Sequence, residues 1–176
     1  FSPSVNCIVG DNGSGKTNLL DAIHYLSMSK GAFGGGNNQH VQHGQDFFMV
    51  KGLFQAKDLD YEVTCGYKKG QPKVFKVNQK AYDKISDHIG RFPVVLIAPN
   101  DTETITEGSE LRRKFFDSII SQLDKVYLAN LIEYTHYLKQ RNTALKQFAE
   151  RHFVDRNLIE AYNHKMIQLG KEICDK

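Results

Sequence analysis

The sequence predicts an α/β fold, and three observations lead to that prediction. An apolar run over residues 5–9 stops at Gly10 and leads through a glycine-rich turn into a stretch with helical spacing, which is typical of a strand followed by a helix. Three β-like runs then lie between residues 47 and 78, and residues after 109 have mainly helical spacing. We therefore expect a mixed sheet with an antiparallel β subdomain, followed by a helical region.

The first region, lobe I, is expected to cover residues 1–100. Its elements follow from the spacing of apolar residues and from the glycine and proline residues between them. Residues 69–72, Lys-Gly-Gln-Pro, predict a hairpin between the second and third antiparallel strands. The expected order is a strand at 5–9, a helix at about 18–29, a mobile loop at 31–45, strands at 47–54, 61–67 and 74–78, a helical stretch at 82–89 and a strand at 93–98.

The second region, lobe II, is expected to cover residues 101–176 and to contain three helices, at about 109–123, 126–150 and 155–174. In the middle helix, leucines at 131, 138 and 145 recur every seven residues, which is compatible with a coiled-coil seam interrupted by Arg141. The link to the last helix is short, which favours antiparallel pairing of the two. Ordinary amphipathic helices that pack into a core explain the same spacing.

The motif that carries chemistry is Gly-Asp-Asn-Gly-Ser-Gly-Lys-Thr at residues 10–17, which matches G-x-x-x-x-G-K-[ST] at every specified position. Its three glycines let the backbone turn so that several N–H groups point to one place. Those donors and the positive end of the following helix form an anion site for the phosphates of a nucleotide. The alternative, an ordinary strand-to-helix turn, leaves Lys16 and Thr17 unexplained.

Each residue of this loop is therefore a candidate ligand of a nucleotide. Lys16 is predicted to reach the β- and γ-phosphates as a point charge. The Thr17 hydroxyl is predicted to bind the Mg²⁺ ion that bridges the same phosphates. The candidates from the motif are Gly10, Asp11, Asn12, Gly13, Ser14, Gly15, Lys16 and Thr17.

A lysine-rich window covers residues 68–84, where six lysines are accompanied by one acid, Asp83. So many ammonium groups on one short hairpin create a positive potential that attracts polyanions. The same lysines on a sheet edge also discourage pairing with another edge, so the two interpretations stay open. The candidate contacts with DNA phosphates are Lys68, Lys69, Lys73 and Lys76.

The composition excludes several classes of protein. Apolar residues make up 40% and charged residues 24%, as in an ordinary globular domain. No uncharged apolar run is long enough to span a membrane, and no leader of the secretory type is present. The three cysteines, at 7, 65 and 174, have no C-x-x-C spacing, which argues against a disulfide framework and favours a reducing, cytoplasmic location.

Residues 6–23 resemble the phosphate-loop segment of SMC-like ABC ATPases, in which G-x-N-G-x-G-K-[ST]-N is usual. Three further stretches, at 42–48, 95–101 and 107–117, are similar to the RecF family of bacterial DNA replication and repair proteins. The last stretch carries a Gly, a pair of Arg and an aromatic-aromatic-Asp pattern. The resemblance covers nearly the whole chain and implies a P-loop NTPase fold of ABC type.

The resemblance also implies a function. Proteins of this family bind and slowly hydrolyse ATP with Mg²⁺, dimerise head to head around two nucleotides, and bind DNA, as a duplex or at a junction of single and double strands. They act with RecR and RecO to load recombinase at gaps, in repair, recombination and the SOS response. By this resemblance Asn18 joins the candidate nucleotide-binding residues.

Three departures from the family pattern bear on catalysis. The strand at 93–98 is followed by Pro-Asn-Asp rather than directly by an acid, so it makes a poor Walker B motif. The family's signature motif and Walker B acids should follow lobe II, and the sequence ends at Lys176 before any of them. The chain also starts at Phe1 without a Met. We therefore expect an N-terminal fragment with an incomplete lobe II that binds ATP and turns it over hardly at all. Whether the segment is itself an enzyme stays open.

Two alternative functions remain at this stage. A small P-loop kinase would use the same phosphate loop, with Asp101 as a displaced metal ligand and Arg112 or Arg113 as a phosphate clamp. A non-catalytic scaffold would pair the helices at 126–174 with another chain.

Overall fold

The computed structural model describes residues 1–33, 35–102 and 108–176, with the side chains of Asn100 and Thr102 left out. The chain forms two compact units, Phe1–Ile97 and Ala98–Lys176. Within the described ranges, no helix combines the length and the low charge that crossing a membrane requires.

The first unit is built around a four-stranded antiparallel sheet in which the strands are adjacent in chain order, β1-β2-β3-β4. Turns of two to five residues connect them, as meanders require. The expected antiparallel subdomain is confirmed, with β1 and β2 each two or more residues longer than predicted. The strands are β1 Phe47–Ala56, β2 Leu59–Lys68, β3 Val74–Val77 and β4 Lys80–Ala81.

One face of this sheet forms the core of the unit. Val63 and Cys65 of β2 are fully buried, and Phe75 and Val77 of β3 are 1% and 6% exposed. Helix α1, Lys16–Met28, covers this face with Tyr25 and other residues of its last turns. Because side chains alternate along a strand, the residues between these point to the opposite, outer face of the sheet, which is partly exposed at Thr64 of β2 and exposed at Val74 and Lys76 of β3.

Two predicted strands do not form. Residues 5–9 and 93–98 have no strand assignment, and their apolar side chains are open to solvent: Val5 and Val9 are each 83% exposed, and Ile97 is 82% exposed. A parallel strand is stable when neighbouring strands and helices cover it. Among the described residues the only sheet is the antiparallel one, so the expectation of a mixed sheet is not met there.

The predicted helical stretch at 82–89 is also different from the prediction. It contains a single 3₁₀ turn, Ile85–Asp87, followed by a second turn. The backbone N–H groups of Asp87, His88 and Arg91 each bond to the carbonyl three residues earlier, at 3.0 Å. This i→i+3 pattern gives a tight turn rather than an α-helix.

The second unit contains three helices, as predicted: α2 Ser109–Leu123, α3 Lys125–Arg151 and α4 Arg156–Cys174. Asp124 caps α3, and its carboxylate accepts bonds from the backbone N–H groups of Val126 and Tyr127 at 2.8 and 3.0 Å. Asp155 caps α4 in the same way by accepting from Leu158 N at 3.1 Å. Aspartate caps therefore mark where α3 and α4 begin. The ends of the three helices lie within about two residues of the predicted ends.

Helices α3 and α4 pack antiparallel, which confirms the predicted pairing. Asn130 near the start of α3 donates to Glu172 near the end of α4 at 2.7 Å, and Arg141 Nε donates to Asn163 Oδ1 at 2.8 Å. Arg141, the polar interruption of the heptad pattern, thus has a partner within the chain. Leu145, by contrast, is 37% exposed, so the leucine heptad does not form one continuous buried seam.

A buried tyrosine joins α2 to α3. The Tyr127 hydroxyl donates to Asp117 Oδ1 at 2.5 Å, and Tyr127 is 4% exposed. Burial, followed by the bond to Asp117, raises the pKa of this tyrosine. Asp117 is the last residue of the family-like stretch 107–117, in which Glu107 lies outside the described residues. Its described contact is structural.

Replacing Tyr127 with Phe is expected to destabilise the second unit by about 1–3 kcal/mol, because it leaves a half-buried carboxylate without a charge-assisted partner. Chemical denaturation followed by circular dichroism measures this loss. Tyr134→Phe is the matched control, since Tyr134 lies on the same helix and is only partly buried, and its hydroxyl makes no hydrogen bond to the described residues. Equal effects of the two changes would contradict the role given to the Asp117 bond.

Candidate nucleotide-binding site

The phosphate loop lies between the extended residues 5–9 and the start of α1 at Lys16. Gly13 and Gly15 have φ values of 85° and 90°, in the left-handed region that β-carbons disfavour. The backbone N–H of Ser14 donates to Asp11 O at 3.2 Å and closes a turn inside the loop. The glycines therefore permit the sharp reversal that the motif predicted.

The end of α1 that faces this loop has free backbone donors. Gly15 caps the helix without a side chain, and the first turn carries no acidic residue. The first bond of the helix runs from Leu19 N to Gly15 O at 3.0 Å, so the N–H groups before Leu19 have no partner inside the helix. Together with the helix dipole, these groups can bind an anion.

The side chain of Lys16 folds back over the loop. Its ammonium Nζ donates to Gly10 O at 2.9 Å and to Asp11 O at 2.7 Å. These bonds hold a positive charge at the mouth of the loop without a carboxylate partner. A phosphate placed against the loop amides would meet this charge directly, which is the chemistry the motif requires.

Thr17 and Asn18 follow in the first turn of α1, and both are exposed. The Thr17 hydroxyl is a hard oxygen ligand of the type that Mg²⁺ binds, and Mg²⁺ in such sites takes most of its other ligands from water and phosphate oxygens. No cluster of three His, Cys, Asp or Glu side chains suited to a metal occurs in the described parts of the chain. The exposed Thr17 hydroxyl fits one ligand position of such an ion.

A pocket of about 400 Å³ runs along α1 from this first turn. Asn18, Asp21 and Tyr25 line it on the helix side, with Gln39 and His40 on the other. It continues the phosphate site along the helix, towards the sheet.

Gln39 and His40 of the loop at 31–45 form one wall of this pocket, and the described residues of the loop are bonded to α1, whereas a mobile loop was predicted. It contains a 3₁₀ turn, Asn37–His40. Asp21 accepts a bond from Ala32 N at 2.6 Å, and the Tyr25 hydroxyl donates to Asn37 Oδ1 at 2.9 Å. Both bonds are made by side chains of α1. The polar composition of the loop itself therefore could not predict them.

The four candidate DNA-contacting lysines occupy two kinds of environment. Lys68 and Lys76 are exposed on the outer face of the sheet, and Lys68 Nζ lies 3.4 Å from the exposed carboxylate of Asp46. Lys69, in the turn after β2, donates to Gln45 O at 2.9 Å. Lys73 is half-buried and turns towards α1. The geometry therefore brings Lys68, Lys69 and Lys76 to solvent and separates Lys73 from them.

Two of the groups that the kinase alternative needs have partners in their own local structure. Asp101 Oδ2 accepts a bond from Ala98 N at 2.7 Å, within the turn Pro99–Thr102. Arg113 donates to the Ser109 hydroxyl on its own helix at 3.1 Å. Both side chains therefore form hydrogen bonds to residues three or four positions away in the chain.

One buried group escaped the sequence analysis. His88 is fully buried, and its Nε2 donates to Leu26 O of α1 at 2.7 Å. Its ring also packs 4.4 Å from that of Phe75. The weak helical spacing of 82–89 gave no sign of it, because the bond joins residues 62 positions apart.

Comparison with known proteins gives a consistent result. The family model described as the AAA domain matches residues 1–172. The chain is 48% identical over its full length to the DNA replication and repair protein RecF of Flavobacterium johnsoniae and 46% identical to that of Cytophaga hutchinsonii. It covers 49% and 46% of these relatives, so it spans about half their length.

Solved structures agree with these relatives. A structure of the recombination mediator protein RecF with ATPrS, in the RecFOR pathway, matches with a TM-score of 0.85 and 35% identity, over 94% of this chain and 44% of that one. The corresponding RecF–ATP structure matches with a TM-score of 0.84 and 34% identity, over 93% of this chain and 44% of that one. The phosphate loop, the fold and these similarities together show that the chain belongs to the AAA domain family, and over its whole length it is similar to RecF proteins.

Proposed function

We propose that this chain is the ATP-binding part of a RecF-type protein, and that the longer protein binds DNA in an ATP-dependent manner. The observation that carries the proposal is the phosphate loop itself, with free N–H groups at the start of α1 and the Lys16 ammonium 2.7–2.9 Å from two loop carbonyls. The nucleotide-bound RecF structures that the chain resembles support the same ligand.

In this proposal, residues 10–18 hold the triphosphate. The loop amides and Lys16 bind the β- and γ-phosphates, and Thr17 contributes one oxygen to a Mg²⁺ ion. Asn18, which lines the adjoining pocket, lies where the nucleotide leaves the loop. We keep the division into lobe I (1–100) and an incomplete lobe II (101–176) as part of the proposal.

The partners belong to the same proposal. The matched structures are of a recombination mediator in the RecFOR pathway, which is the support for RecR and RecO as partners. The relatives are named DNA replication and repair proteins, which supports a role in those processes. The ATP-dependent homodimer and the loading of recombinase at gaps are proposed from the family resemblance of the sequence. The buried or unpaired cysteines are compatible with a cytoplasmic site of action.

For DNA, we propose the outer face of the sheet around Lys68 and Lys76, together with Lys69. Lys68 is the last residue of β2, and Lys76 of β3 lies opposite Thr64 of β2. Exposed ammonium groups bind phosphates through counterion release, so their contribution shows in the salt dependence.

The experiment measures DNA binding by the full-length protein, with and without Mg–ATP, over a range of salt concentrations. In the double variant Lys68→Ala/Lys76→Ala, the slope of log K against log salt is expected to fall by about two, because two phosphate contacts are lost. Lys139→Ala, an exposed lysine of α3, is the control and should leave the slope unchanged. A double variant with the wild-type slope would remove these lysines from the interface.

Neither alternative function gains support. The kinase would need Asp101 as a metal ligand and Arg112 or Arg113 as a phosphate clamp, and Asp101 and Arg113 are bonded within their own local structure. The scaffold would pair the helices at 126–174 with another chain, whereas they pair with each other through Asn130 and Arg141, and the relatives are named as DNA replication and repair proteins.

A further inference from the structure

The strongest unexplained feature is the environment of Lys73. This lysine precedes β3 in the lysine-rich hairpin, but its ammonium points to α1 rather than to solvent. Lys73 Nζ donates to Ser29 O, lies 3.4 Å from the Tyr25 hydroxyl, and stands 5.1 Å from the centre of the Tyr25 ring. Three contacts with one helix end distinguish it from the other lysines of the hairpin.

Ser29 is the residue at which α1 ends. It has a left-handed φ of 57°, and its carbonyl lies at the negative end of the helix dipole. The last turn of α1 contains no basic residue. Lys73 therefore supplies from the hairpin the positive charge that a helix end favours.

The bond to Ser29 O is needed because the ammonium is partly desolvated. Burial lowers the pKa of Lys73, with a weaker opposing effect from Cys65. A half-buried ammonium is stabilised by a hydrogen-bond acceptor and by the face of an aromatic ring. Loss of these partners would leave the charge without compensation, so the side chain is fixed in place rather than free to bind DNA.

The two ends of α1 thus contact two different segments of the chain. The N-terminal end, at Lys16, forms the phosphate loop, and the C-terminal end, at Ser29, is bonded to the hairpin. The helix has 13 residues and is about 20 Å long. Lys73 therefore adds a polar link between the hairpin and this helix to the apolar packing of Tyr25 and Leu26 against the sheet.

We propose that Lys73 is the positioning residue that couples the lysine-rich hairpin to the nucleotide-binding helix, rather than a DNA contact itself. The inference rests on the proposed function, since it requires nucleotide at the loop and DNA at the hairpin. Nucleotide bound at Lys16 fixes α1, which holds the hairpin in the arrangement that favours DNA. By linkage, DNA on the hairpin raises the affinity for nucleotide by the same factor.

The test is a binding cycle on the full-length protein. DNA affinity is measured by fluorescence anisotropy with and without a non-hydrolysable Mg–ATP analogue, and nucleotide affinity is measured with and without a DNA duplex. For each ligand, the coupling ratio is its affinity in the presence of the other ligand divided by its affinity in its absence. The wild-type ratio is expected to be about fivefold or more, which is the usual range for coupled sites. Lys73→Met keeps the length and packing of the side chain but removes its charge, and should bring both ratios below about twofold.

Two further variants separate coupling from general damage. Lys76→Met removes an exposed lysine of the same hairpin, and should weaken DNA binding equally with and without nucleotide, so that its ratio stays at the wild-type value. Lys73→Arg restores the charge and a donor, and should recover most of the ratio. Because Lys73→Met keeps the phosphate loop, its nucleotide affinity without DNA should stay within about threefold of wild type.

Each outcome decides one question. A wild-type ratio near one would contradict the ATP-dependent DNA binding of the proposed function and with it the coupling. A clear wild-type ratio that Lys73→Met retains would overturn the coupling alone. If Lys73→Met does not fold, Lys73→Arg and Lys76→Met decide: a ratio that falls in both equally would overturn the special role of Lys73.

Discussion

Replacing Lys16 with Ala is expected to abolish binding of Mg–ATP in the range where the wild-type protein binds it. Lys16 supplies the only ammonium bonded within the phosphate loop among the described residues, 2.7 and 2.9 Å from two of its carbonyls. A hydrogen bond between charged groups is worth about 1.5–3 kcal/mol, and each 1.4 kcal/mol changes affinity about tenfold. Loss of contacts with two phosphates therefore predicts a decrease of about a hundredfold or more.

Isothermal titration calorimetry of the full-length protein with Mg–ATP measures this change. The stability of the variant should stay within about 0.5 kcal/mol of wild type, because the loop carbonyls that lose Lys16 are exposed and can bond to water. Lys80→Ala, an exposed lysine of β4, is the control and should bind ATP as wild type does. Binding by Lys16→Ala at wild-type affinity would mean that the loop does not hold the triphosphate.

Replacing Phe75 with Ala is expected to produce the largest loss of stability, about 3–5 kcal/mol, which is typical of a buried phenylalanine. Phe75 is 1% exposed at the centre of the sheet face that α1 covers. Its ring lies 4.4 Å from that of His88, which in turn bonds to Leu26 O of α1. The resulting cavity would therefore loosen the support of the nucleotide-binding helix.

Hydrogen exchange at the backbone amides of β2 reports on the first unit alone and measures this loss. Val74→Ala is the matched control: Val74 is the adjacent residue of β3, is 47% exposed and lies on the outer face. Its cost is expected to be about 0.5 kcal/mol. A cost for Phe75→Ala no greater than that of Val74→Ala would show that this ring is not central to the core.

Some elements of this fold are determined by local sequence, and others by contacts with distant segments. The three helices of the second unit and strands β1 to β3 were predicted to within a few residues, because periodic apolar spacing and polar caps are local properties. Residues 5–9 and 93–98 have the composition of buried strands but are not paired, because pairing depends on neighbours and not on the run itself. The prediction of a helix around Ile85 was wrong, because the burial of His88 against Leu26 of α1 leaves no local pattern in the sequence.

The basic hairpin shows the same limit within one short segment. Counting lysines predicted a positive surface at Lys68, Lys69, Lys73 and Lys76 and treated the four alike. Burial and hydrogen bonding divide them, because Lys73 lies against a helix end that is 44 residues away in the chain. No local pattern distinguishes an ammonium that meets a phosphate from one that meets a helix carbonyl.

By itself, the order of amino acids determined the phosphate loop, since the conformation of residues 10–17 depends on glycines and a lysine that are adjacent in the chain. It also determined strands β1 to β3 and the helices of the second unit, through the period of their apolar residues. The tertiary structure alone decided which lysines reach solvent, how the loop at 31–45 is held, and where His88 is buried. These depend on contacts between segments far apart in the chain, and burial decides the environment of a charge or an imidazole only once those segments have packed.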